Sequence, residues 1–83
     1  MSDHEIQLFE DLAFKYMDNL YSRAILLARS AERAEILVQQ TYAVAFGVFQ
    51  HFDKNSDFDK WLNEILMNVY ANMCFYVHES AEN

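Results

Sequence analysis

Apolar residues recur at three- and four-residue intervals through three stretches of the chain, the period of a helix with one face turned to a core. In the first, Phe9, Leu12, Ala13, Tyr16, Met17, Leu20, Ala24 and Leu27 hold this spacing, which predicts a helix over roughly residues 4–28. Ser2 with Glu5 three positions on fits a capping box, and Asp3 suits the positive end of a helix dipole. Ser30 suits the N-cap of a second helix, residues 31–50, with Ala34, Leu37, Val38, Thr41, Ala45 and Val48 as its inward stripe. Residues 51–57 are rich in Asp, Asn and Ser and read as a loop holding a small turn. Ser56 with Asp59 then offers a box-like cap for a third helix. Phe58, Trp61, Leu62, Ile65, Leu66, Val69, Met73 and Val77 share one face of it. That helix is expected to end near Val77, before a polar tail over 78–83 that is expected to fray. Three long helices joined by short connections predict an all-α fold, an antiparallel bundle in a single domain spanning 1–83 with its ordered core at about 4–77.

The second helix has more apolar residues than its stripe needs. Ile36, Val44 and Phe46 fall off the inward face, while Glu35, Gln39 and Gln40 make a compact polar patch with one charge. Such a surface either packs within the bundle or binds a partner. On periodicity alone, Gln39 and Gln40 read first as solvated helix positions.

Composition narrows the function more than the fold. With one Gly, no Pro and 53% hydrophobic residues, the chain is suited to helices and to a packed core. No run of about 18 apolar residues could cross a membrane, and the acidic N-terminal stretch resembles no secretory or organelle signal. The single Cys74 cannot form an internal disulfide and suits a reducing cytoplasm. The formal net charge is −7, and residues 61–83 hold no Lys or Arg. Affinity for nucleic acid comes largely from cations on phosphates, so this chain alone is expected to bind DNA poorly. His4, His51 and His78 are too scattered for a metal site, and no nucleophile–base pair or glycine-rich phosphate loop is present. The reading is a non-enzymatic chain without metal, cofactor or small-molecule substrate.

Two segments together resemble region two of bacterial sigma factors of the extracytoplasmic-function type. Arg33, Ala34, Glu35, Ile36, Leu37, Val38, Gln39, Gln40, Thr41, Tyr42, then Ala45 and Phe46, are similar to the family's second-helix pattern D-A-E-D-L-V-Q-E-T-F-x-x-A-F. Phe58, Trp61, Leu62, Ile65 and Asn68 are similar to its third-helix pattern F-x-x-W-L-x-x-I-x-x-N, and residues 51–57 resemble the connection R-F-D-x-x-x-D. The resemblance covers about residues 8–76. It implies the helical region-two fold and a cytoplasmic role in transcription initiation, with the RNA polymerase core as partner through the β′ coiled coil. It also implies −10 promoter recognition, in which a base is drawn out of its stack. Carried over by position, Glu35, Gln39, Gln40 and Thr41 would face the β′ coiled coil. Lys54, Asn55 and Ser56 would lie in the base-capturing loop, and Lys60, Asn68 and Asn72 along the promoter side of the third helix. Trp61 matches a family Trp and reads as mainly core.

The chain also departs from the family pattern. Arg33 and Ile36 stand where acidic residues are usual, and Glu64, Met67, Cys74 and Tyr76 stand where Arg is common. Promoter DNA is therefore expected as a ligand only within the holoenzyme. A second reading is a sigma-like interaction module that binds an anti-sigma factor without touching DNA. A third is a helical dimerisation domain that uses the outer apolar residues of the second helix.

Overall fold

The computed structural model of the protein describes the backbone of residues 2–82 and side chains through residue 73. It is all-helical, with α1 at Asp3–Lys15, α2 at Met17–Ala28, α3 at Ala31–Val48 and α4 at Phe58–Glu82. A single 3₁₀ turn, Phe49–His51, follows α3. The expected first helix is thus two helices. Their hydrophobic period is continuous, but the chain bends at Tyr16 (φ −105°, ψ 11°). Backbone bonds from Tyr16 N–H to the Leu12 carbonyl and from Leu20 N–H to the Tyr16 carbonyl carry the helical phase across the bend. The Tyr42 hydroxyl, arriving from α3, donates to the Ala13 carbonyl at 2.8 Å. A side chain entering the carbonyl ladder is a recognised cause of a kink. Beyond the bend, Met17 is exposed while Leu20 and Ala24 keep to the core.

The helix starts follow their caps. Glu5 N–H donates to Ser2 Oγ at 3.2 Å, and Arg33 N–H donates to Ser30 Oγ at 3.0 Å. The α4 cap is Asp57, not Ser56: Lys60 N–H donates to Asp57 Oδ1 at 3.2 Å. Ser56 is drawn into a turn closed on Asp53, whose carbonyl accepts from Ser56 N–H and whose side chain accepts from Asn55 N–H. At its far end α4 runs to Glu82, past the expected stop near Val77. Between α2 and α3 lie only two residues. The first, Arg29, is left-handed (φ 60°, ψ 24°) and closes α2 by donating its N–H to the Ile25 carbonyl.

One core runs through all four helices: Phe9, Leu20, Leu37, Phe49, Leu62 and Leu66 are among its buried members. Each side chain of that size, fully buried, contributes about 1.5–3 kcal/mol. The α3 stripe is buried as its spacing predicts at Ala34, Leu37, Thr41 and Ala45. Val48 is the exception: it stays exposed, and Phe49 turns in under the 3₁₀ turn instead. There Phe49 meets Phe9, Phe52, Phe58 and Trp61 at centroid distances of 5.1–6.3 Å. Half-buried Trp61 also lies 4.7 Å from Phe52, a packing role rather than an open platform for bases. The side chains of Cys74, Phe75, Tyr76 and Val77 lie outside the described residues. No helix among the described residues is long and apolar enough to cross a membrane.

Candidate partner surface on α3 and the α4 entry loop

With Ala34, Leu37, Thr41 and Ala45 turned inward, helical geometry fixes what α3 presents outward. Glu35, Gln39 and Gln40 are all exposed. Ile36, Gln40, Ala43 and Gly47 are spaced four, three and four residues apart along one exposed row, with Val44 beside it. Ile36 and Val44 are 44% and 47% exposed, so the apolar residues off the stripe stay at the surface rather than packing inside the bundle. Phe46 is divided between the two. It is 40% exposed, yet its ring lies edge-on to Phe9 at 5.3 Å.

Thr41 is not part of this surface. It is fully buried, and its hydroxyl donates to the Leu37 carbonyl at 2.7 Å, one turn back in its own helix. A hydroxyl satisfied in this way can sit in an apolar core, so the expectation that Thr41 faces a partner is corrected. What remains outward is a strip of two amides, one carboxylate and several small or branched apolar groups. Such a strip can take donors from a polar partner helix while burying apolar area against it.

The second group of expected site residues spans the loop before α4 and one face of α4 itself. Lys54, Asn55, Ser56, Lys60, Asn68 and Asn72 are all exposed. Lys60, Glu64, Asn68 and Asn72 follow one another at four-residue steps, so they form a single row in which the charges of Lys60 and Glu64 cancel. Lys54 is already engaged. Its ammonium lies 3.4 Å from Glu5 Oε2 and 4.7 Å over the Phe49 ring. The loop's first cation is thus tied to the start of α1, with Asp53 and Asp57 close by in sequence. This side of the molecule provides hydrogen-bonding groups without net positive charge.

Two further polar features had no local sequence signal. Arg23 in α2 grips Asp59 in α4 through two hydrogen bonds, at 3.0 and 2.9 Å. The Arg23 hydrogen bond holds the Asp59 carboxyl below the usual carboxylate range, and the same bond raises Arg23. Burial pushes the Tyr42 phenol up, in keeping with a hydroxyl that acts as a donor. Among the described residues no group of His, Cys, Asp and Glu is placed to hold a metal ion. No known protein-family model matches the chain.

Proposed function

We propose that this chain is a region-two-like domain of an extracytoplasmic-function type sigma factor. It acts in transcription initiation by binding the RNA polymerase core at the β′ coiled coil through the outer face of α3. The observation that carries this reading is the exposure of Glu35, Gln39 and Gln40 beside Ile36 and Val44, on a helix that already buries a full core stripe. The chemistry is binding, with no bond made or broken. Contact with the −10 element, through the 53–57 loop and the row of Lys60, Asn68 and Asn72, belongs to the holoenzyme, since this side of the chain carries no net positive charge of its own.

The test is binding of the full chain to a β′ coiled-coil fragment. Replacing both Gln39 and Gln40 by Ala is expected to weaken binding by about tenfold or more, equivalent to roughly 1.4 kcal/mol. Thr41→Val, buried away from the surface, should leave it unchanged. No binding by the parent chain, or equal binding by the Gln variants, removes the reading.

A second reading is favoured by the charge pattern around α4. Lys54 is paired with Glu5, Lys60 is followed one turn later by Glu64, and residues 61–83 carry no Lys or Arg. These features suit a sigma-like module that binds an anti-sigma factor and leaves DNA alone. A −10 single-stranded oligonucleotide, offered at low salt to the chain assembled with polymerase core, separates the two. Salt-sensitive binding that requires the chain counts against the module, and its absence alongside retained β′ binding counts against promoter contact.

A further inference from the structure

Among the described residues, the two most exposed large hydrophobes are Phe14 and Leu26, each 77% exposed. They lie on neither surface described above. Because the hydrogen bonds at Tyr16 keep the helical phase, α1 and α2 share one outward stripe: Asp11, Phe14, Asp18, Ser22, Leu26 and Arg29. All six are exposed, at steps of three or four residues, on both sides of the bend at Tyr16. Ile25 lies beside Leu26 and is also exposed. The stripe is acidic toward one end and basic at the other, and its two large hydrophobes are symmetrically placed. Counted from Leu20, Phe14 and Leu26 are each six residues away, Asp11 and Arg29 nine, and Asp18 and Ser22 two.

We propose that this stripe is a self-association surface, on which a second copy of the chain docks antiparallel about a two-fold axis passing between Asp18 and Ser22. In that register each Phe14 meets the partner's Leu26, and each Asp11 meets the partner's Arg29. Asp18 meets the partner's Ser22 beside the axis, so no like charges in the stripe oppose each other. Every contact is made twice, as an isologous interface requires, and the antiparallel helices oppose their dipoles. The occupant is a second copy because the complement of each position lies on the same stripe. A partner of one charge would match only one end. The contact is a single helical strip, at the small end of specific interfaces, so association depends on concentration. The α3 surface is not used, which makes this inference independent of polymerase binding.

The experiment is sedimentation equilibrium of the full chain under reducing conditions, up to roughly 100 µM, where a contact of micromolar Kd is nearly saturated. The parent chain is expected to be dimeric at the top of that range. Phe14→Ser with Leu26→Ser should be monomeric there with unchanged far-ultraviolet circular dichroism, since both sites are exposed. Asp11→Arg and Arg29→Asp should each be monomeric alone, by placing like charges opposite each other. An equimolar mixture of the two should dimerise, because each chain then meets its opposite. A parent chain that stays monomeric throughout overturns the proposal. So does a dimer that survives the Phe14 and Leu26 changes, or charge variants whose mixture fails to recover association.

Discussion

Gly47 is the single glycine in the sequence, and it lies in the last turn of α3 where no positive φ calls for one. A Cβ built there would meet nothing within 4 Å. Glycine in a helix interior costs about 0.5–1 kcal/mol relative to alanine through backbone entropy. Gly47→Ala should therefore stabilise the isolated chain by about that much, raising its Tm by several degrees for a domain this small. An unchanged or lower Tm would show that the Gly47 site is not open. A gain in Tm together with weaker β′ binding would mark Gly47, in line with Ile36, Gln40 and Ala43, as a place where a partner backbone comes close. Thr41 shows the limit of residue type as a guide. Its hydroxyl suggests a surface and its period suggests a core. The period prevails because the Leu37 carbonyl satisfies the oxygen at 2.7 Å.

At the scale of elements, the readable signals are the local ones. The α3 stripe, apart from Val48, and the α4 stripe at Phe58, Leu62, Leu66 and Val69 follow from spacing, and the Ser2 and Ser30 caps follow from residue type. The break at Tyr16 has no local signal. Apolar spacing passes through it unchanged, while the hydroxyl that enters the ladder comes from Tyr42, 29 residues away. The Lys54–Glu5 contact, spanning 49 residues, is hidden for the same reason, and so is the engagement of the loop cation. At the α4 start, Ser56 and Asp57 are both able to cap, and the turn on Asp53 decides between them. If the Tyr42 hydroxyl holds the bend, Tyr42→Phe should cost about 1 kcal/mol, the usual value of one hydrogen bond. Amide exchange should then quicken in the last turn of α1 and the first of α2. Unchanged exchange there would mean that the bend does not depend on the hydroxyl.

At the scale of the molecule, α2 and α3 are held by a two-residue connection, whereas α4 is reached through the 3₁₀ turn and the open loop after it. The Arg23–Asp59 pair fastens α2 to the first turn of α4 at the end of that long connection. The pair is partly exposed, so it is expected to contribute about 0.5–1.5 kcal/mol, more than a typical surface pair because it is bidentate. Asp59 also lies in the first turn of α4, where a carboxylate favours the helix dipole. Its folded pKa is depressed, so this stability is complete above the unfolded carboxylate range. It is lost as the pH falls through the folded value, while Arg23 stays charged throughout. Asp59→Asn should accordingly unfold more easily than the parent chain at neutral pH, with the difference shrinking as the pH falls through the depressed titration range of the folded carboxyl. Arg23→Gln leaves the dipole contribution in place. A double-mutant cycle in urea therefore isolates the pair, and its coupling should vanish on the same acid limb. A coupling that stays constant from neutral to acid pH would show that the two helices are joined by packing alone, with the ion pair a bystander on the surface of the core.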